Sequence, residues 1–291
     1  MKIIEYFKAS FSRKIARRYF KNYGYRVDKF DLNEEGFVEF ANWMNPLIKP
    51  YILTKQELDF FKALIPAGSF AIDIGAHIGS LTVPMGLAAG KNGLVLALEP
   101  NPQVFEGLKI NSTLNVEKYH IVPLQYAAAD KEAEYHYASS EASISNGGLI
   151  LSASDNTLGK YKLKETVKTI RVSKYLLEHY QEKLQKLSFI KIDTEGFDLL
   201  IIKDLVPILH QYYPVLIAEV FFSKNRSVSK QDCYEMFTIL NKLGYSLFNI
   251  ENFEVSATLE TLKKVPIFSN EDMPMGHTYN ILAMPPRDSS F

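Results

Sequence analysis

The sequence predicts a doubly wound α/β fold: a mostly parallel sheet with helices on both faces. Three observations carry that prediction. Short apolar runs such as Phe70–Ile74, Leu94–Leu98 and Leu187–Ile192 are continuous rather than alternating, which suits strands buried on both faces. Helix-length segments separate them, as crossover connections between parallel strands require. Acids stand at or just past the ends of these runs (Asp73, Glu99, Asp193, Glu195), and Glu219 holds the same place in Pro214–Val220. In such sheets ligands bind beyond the carboxyl ends of the strands.

The organising stretch is Phe70 to Asn101. Gly75 and Gly79 bracket a tight turn after the first strand, and Ile78–Ala89 reads as a helix whose start Pro84 shifts or kinks. A helix start near Gly79 would offer N–H groups and a positive dipole end to an anion. Glu99 ends the next strand, 20 residues past Gly79, where acids bind ribose hydroxyls. A dinucleotide site requires G-x-G-x-x-G; here the pattern is D-x-G-A-H-x-G, one glycine short. Asp73 before the turn repels phosphate and suits an ammonium or sulfonium. S-adenosylmethionine carries both, together with a ribose for Glu99.

Composition narrows the field. The 291 residues hold 33 basic and 33 acidic side chains, so no general affinity for nucleic acid follows. Cys233 is the single cysteine, which excludes an intrachain disulfide and a multi-cysteine zinc site and suits a reducing, cytoplasmic compartment. No apolar run is long enough to span a bilayer.

Residues 1–53 read as a helical extension and cover, and 54–291 as the main domain. Residues 1–24 are basic, with Ile4, Phe7, Phe11, Ile15 and Tyr19 at helical spacing. The stripe is expected to dock on its own domain; contact with an anionic membrane surface is the alternative. Residues 25–53 read as irregular and aromatic. Thr54 and Glu57 form a capping box for a helix to about Ile65. Pro102 opens a helix to about Asn115, followed by a strand at Tyr119–Leu124. Gln125–Asp130 is small-residue chain with room for a flat base, where Asp130 either accepts from an exocyclic amine or caps a turn. An inserted loop at about 131–173 holds exposed strands at Glu134–Ala138 and Thr166–Val172, with Ser139–Gly159 as a mobile cover. Beyond it come a helix at Tyr175–Lys186, a helix from near Phe197 to Leu209, a helix at Lys230–Leu243, and strands at Tyr245–Ile250 and Tyr279–Met284.

Transfer to an oxygen requires a group that takes its proton. With Asp73 and Glu99 assigned to the cofactor, Asp193, Glu195 and Glu219 remain as catalytic candidates, either as a base or holding Mg²⁺. The competing reading has Asp193 and Glu195 capping the next helix. His77 lies in the turn after the first strand and His277 just before the last strand; each is usually structural in such a place, with contact to substrate or cofactor as the alternative.

Three ordered motifs, AIDIGAHIGSLTV, LALEPNPQVFEGLKIN and FIKIDTEGFDLLIIKDL, resemble the FkbM-type family of S-adenosylmethionine-dependent methyltransferases over roughly residues 65–220. The resemblance implies a class I methyltransferase fold: seven strands, the last antiparallel. It places Asp73, Gly75 and Gly79 around the methionine moiety and Glu99 on the ribose. Ala127 and Asp130 then lie near the adenine, and Lys191–Gly196 beside the transfer site. Ala76, His77, Ile78, Pro100 and Asn101 complete the implied cofactor set. His77 stands where the family more often has Asn, and Ser173-Lys174 replaces an acidic pair. The implied activity is O-methylation of a sugar, glycan or small metabolite. A nicotinamide-dependent oxidoreductase and a non-catalytic S-adenosylmethionine-binding protein are the alternatives.

Overall fold

The computed structural model describes residues 2–139, 142, 148–150, 161–194, 196–220, 230–250, 263–264 and 279–286. The chain begins with α1 (Lys2–Arg18), followed by an antiparallel hairpin of β1 (Tyr25–Asp31) and β2 (Phe37–Trp43). Both differ from expectation. Three residues of the α1 stripe are not packed on the domain: Phe7 and Phe11 are each 65% exposed and Tyr19 is 67% exposed. The last turns of α1 touch the rest through buried Ala16 and the Arg17 carbonyl, which accepts from Ala142 N at 3.1 Å. The segment read as irregular holds the hairpin because two asparagines of α4 (Pro102–Thr113) and its exit supply what a neighbouring strand would. Asn111 Oδ1 accepts from Ala41 N (2.7 Å) while its Nδ2 donates to Ala41 O (3.2 Å). Asn115 brackets Glu39 in the same way, at 3.0 and 2.9 Å. Side-chain amides thereby satisfy the outer edge of β2.

α2 (Lys55–Leu64) starts on Thr54, whose Oγ1 accepts from Glu57 N at 3.2 Å. The capping box is half made, because the Glu57 carboxylate turns to the Tyr51 hydroxyl instead. β3 (Phe70–Ile74), α3 (Thr82–Ala89) and β4 (Leu94–Leu98) follow. α3 begins four residues later than the apolar run implied, which leaves Pro84 in the first turn, where no N–H is needed. After α4 come β5 (Ile121–Leu124), β6 (Ala127–Ala128), β7 (Ala133–Ser139), β8 (Gly148–Ile150) and β9 (Tyr161–Ile170). α5 (Val172–His179) continues into a 3-10 helix, Gln181–Lys186. The remainder is β10 (Leu187–Ile192), α6 (Asp198–Tyr212), β11 (Val215–Val220), α7 (Lys230–Lys242), β12 (Ser246–Ile250), β13 (Lys263–Lys264) and β14 (Tyr279–Met284).

The main sheet has the order β13-β12-β14-β11-β10-β3-β4-β5. β5, β4, β3, β10 and β11 are mutually parallel, and β14 runs antiparallel to both β11 and β12. Seven strands with an antiparallel last strand match the expectation; the two-residue β13 adds an eighth at the edge. Strand alternation divides the core. Phe70, Ile72 and Ile74 join the layer of α5, α6 and α7, while Ala71 joins the layer of α2, α3, α4 and the hairpin. Chain order reverses at β3, with β4 on one side and β10 on the other, so the crevice opens there.

The insert is a second sheet, β6-β9-β7-β8. Its strands exceed those expected, and β7 carries a register shift between His136 and Ala138. The cover read at Ser139–Gly159 lies largely outside the described residues; the described part, β8, pairs with β7. No described helix is long and apolar enough to cross a membrane.

Candidate active site

The turn after β3 is built by close approach of two strand ends. At Gly75 φ is +81°, and an added Cβ would lie 1.8 Å from the Asp193 carbonyl oxygen. Only glycine lets β10 pass there. Gly75 N and Ala76 N both donate to Leu98 O at 2.9 Å, and Gly79 N donates to Ala76 O at 2.9 Å. His77 takes φ +53°, and its N–H donates to Glu99 Oε2 at 3.0 Å. The turn's amides at these positions are therefore consumed internally, which corrects the expectation of a free anion-receiving helix start at Gly79.

Asp73 also departs from expectation. It is fully buried beneath the turn, accepts from Thr82 Oγ1 at 2.6 Å, and its Oδ1 lies 3.3 Å from Lys191 Nζ. Its charge is matched within the protein, so it does not face a ligand's cation directly. Lys191 opens the motif placed beside the transfer site, but the sequence reading gave it no role of its own. Its Nζ donates to Gly75 O at 2.9 Å and stands 3.4 Å from Asp193 Oδ2. Burial alone would depress this ammonium, but Asp193 and Asp73 outweigh it and hold its pKa well above the usual range. A lysine inside the apolar run FIKI was the available signal, since a buried charge needs partners.

A cleft of about 300 Å³ opens between these strand ends and the second sheet. Of the expected residues, Gly75, His77, Glu99, Pro100, Ala127 and Asp193 line it. Glu99 Oε1 accepts from Asn101 N at 2.8 Å, and Asn101 caps α4 through Gln103 N at 3.1 Å. Asn101 thus aims Glu99 rather than touching the cleft. Ala76, Ile78 and Gly79 lie beneath the turn: Ile78 O accepts from Asn111 Nδ2, and Gly79 packs under Leu108. Asp130 is exposed, and neither it nor Glu219 lines the cleft. Glu195 and His277 lie outside the described residues.

Sequence reading missed the aromatic wall. Tyr126, Tyr137 and Phe197 line the cleft with Leu149 and Thr194. They come from three separate segments, and no local spacing joins them. It also did not single out the acid that orders the loop after β10. That acid is Asp198, which accepts from Gly196 N at 3.2 Å and Thr194 Oγ1 at 3.1 Å. Burial, with the charge of Asp193, raises its pKa to about 7.

The electrostatics favour donors that bring a positive charge. Burial pushes Glu99 up to about 7 despite its two main-chain bonds. Burial, then Lys191, lowers His77 to about 4, so its imidazole is neutral at neutral pH. Among the described residues no three His, Cys, Asp or Glu side chains cluster as a metal-ligand set; Glu195, one of the Mg²⁺ candidates, lies outside them.

The family described as the methyltransferase FkbM domain matches residues 73–247, from Asp73 to Leu247. This chain belongs to the FkbM methyltransferase family. The match spans the turn, the cleft-lining strands and the second sheet, and it sets aside the nicotinamide alternative. A protein-L-isoaspartate O-methyltransferase of Caenorhabditis elegans is 37% identical over 68 residues, 23% of this chain and 28% of that protein. This chain thus spans little more than a quarter of that relative's length. Among solved structures, an FkbM methyltransferase from Methylobacillus flagellatus is 12% identical, with a TM-score of 0.41 over 79% of this chain and 51% of that one. A precorrin-6y C5,15-methyltransferase from Geobacter metallireducens is 13% identical, with a TM-score of 0.42 over 91% and 99%. The fold of this chain is read from its own strand order.

Proposed function

We propose that this protein transfers the methyl group of S-adenosylmethionine to a hydroxyl of a sugar, glycan or related small metabolite. The observation that carries the reading is Glu99: a buried carboxylate in the cleft whose two oxygens each take one main-chain N–H. Each oxygen keeps acceptor capacity, and two vicinal ribose hydroxyls match it. The donor set fits this cofactor in two further respects. The wall of Ala127, Tyr126 and Phe197 suits a flat base, and Gly75, Glu99 and Asp193 line the same cleft.

When bound, the cofactor supplies an electrophilic methyl group on a sulfonium sulfur. The chain's own part is to place an acceptor oxygen and receive its proton. Asp193 is the cleft carboxylate with access to solvent, its side chain 37% exposed and steadied by Lys191. It takes the acceptor's proton as the new bond forms. Membership of a methyltransferase family and the Glu99 geometry support the cofactor; the hydroxyl acceptor rests on a carboxylate, rather than a thiolate or amine, at the transfer end.

Two substitutions separate binding from chemistry. Glu99→Gln is expected to weaken S-adenosylmethionine affinity by about 1–3 kcal/mol, the worth of charge-assisted hydrogen bonds, measured by calorimetry. Asp193→Asn is expected to keep that affinity and to lower S-adenosylhomocysteine release on a panel of glycosides by about 100-fold or more. Full turnover by Asp193→Asn removes it as the base. Product release by the wild type on no hydroxylated acceptor, with cofactor still bound, leaves the non-catalytic reading.

A further inference from the structure

The strongest feature outside the cleft is α1. Phe7 and Phe11 stand one turn apart on one face, and Lys14 and Arg18 continue the same row toward the helix's end. All four side chains are exposed. Tyr6 packs edge-on against Phe7 with ring centroids 5.9 Å apart, and Tyr19 and Phe20, just past the helix, are 67% and 58% exposed. Five of the twelve exposed large apolar side chains in the described residues thus fall within positions 6–20. A soluble surface seldom concentrates aromatics in this way without a partner.

The charge says which partner. Residues 1–21 hold Lys2, Lys8, Arg13, Lys14, Arg17, Arg18 and Lys21 against Glu5, a net +6. The whole chain is neutral, so the remainder carries the opposite charge. A row of aromatics followed by cations on one exposed face matches the boundary between acyl chains and anionic headgroups. We propose that α1 docks this protein on an anionic phospholipid membrane, with Phe7 and Phe11 entering the acyl boundary and Lys14 and Arg18 at the phosphates. Its anchored end bears on the cleft: the Arg17 carbonyl bonds Ala142, in the connection between β7 and β8, whose Tyr137 and Leu149 line the cleft. The proposal stands independently of the acceptor assigned above.

The test uses the full chain in sedimentation with vesicles of phosphatidylcholine, alone and with phosphatidylserine added. The expected result is binding only when phosphatidylserine is present, weakening with salt. Lys14→Glu/Arg18→Glu is expected to lower the partition coefficient at least 20-fold, since each lost cation accounts for roughly fivefold. Phe7→Ser/Phe11→Ser is expected to lower it at least tenfold. Both pairs lie on an exposed face, so unchanged thermal unfolding shows that each variant is folded. No binding to phosphatidylserine vesicles at low salt overturns the proposal. So does binding that survives loss of both phenylalanines, or a preference for single-stranded RNA over the vesicles. A dimer that Phe7→Ser/Phe11→Ser dissociates, without vesicle binding, assigns the face to a second copy and overturns it equally.

Discussion

Lys191 shows how one side chain can hold a site together without entering it. Its ammonium lies between Asp73 and Asp193 and grips the Gly75 carbonyl, so two segments distant in sequence share one charge. Asp73 has no access to water, and removing the ammonium leaves its carboxylate buried beside only the Thr82 hydroxyl. Lys191→Met is therefore expected to cost about 3–5 kcal/mol of stability, the usual penalty for breaking a buried pair from one side. Adding Asp73→Asn is expected to recover part of that loss. Denaturant unfolding of the single and double variants checks both outcomes, and purely additive losses would show that the two residues are not coupled. Sequence reading found Asp73 by its place before the turn. It assigned the acid to a ligand because a lysine 118 positions away cannot be seen to neutralise it.

At the scale of elements, the hairpin and α4 illustrate a contact that no periodicity announces. Asn111 makes three side-chain bonds, to Ala41 N, Ala41 O and Ile78 O, and so ties the hairpin and the cofactor turn to one helix. Asn111→Ala leaves these main-chain groups buried without partners, at about 1–3 kcal/mol for each group that water cannot reach. The expected outcome is faster amide hydrogen exchange at Ala41, together with weaker cofactor affinity through the loosened turn. Unchanged exchange at Ala41 would mean that the hairpin is held by its own register alone. The insert behaves similarly. Alternation marked two of its strands, yet the pairing of β6 with β9, which brings Ala127 and Ala128 to the cleft, joins residues 42 apart.

Across the whole molecule, three acids among the described residues, two buried and Glu57 partly so, share one consequence. Glu99, Asp198 and Glu57 are each raised to about 7, in every case chiefly by burial. Each binds its proton more tightly folded than unfolded, so between about pH 4.5 and 7 the native state holds more protons than the unfolded one. Stability therefore falls as pH rises through that window, by up to about 1.4 kcal/mol per pH unit for each acid. His77, lowered to about 4, acts with the opposite sign up to its ordinary value of 6.5, because the unfolded chain takes the proton first. Three against one leaves a net loss, so the ligand-free protein is expected to be more stable at pH 5 than at pH 7 by urea unfolding. A rise over that interval would show that these acids are solvated. A bound cation near Glu99 favours its ionised form, so S-adenosylmethionine affinity is expected to strengthen over the same range.

The sequence by itself determined the sheet, the glycine turn and the position of Glu99, because each is written locally. Short continuous apolar runs bounded by turn residues suit strands covered on both faces, and a sharp turn at positive φ favours glycine where it stands. Only the tertiary structure decided which acids face the cleft and which are neutralised beneath it, and which aromatics form its wall. It alone showed that the face of the first helix lies bare. Those outcomes depend on which side chains meet across the fold, and the free energy of a buried charge or an exposed ring is set by its neighbours in space rather than in sequence.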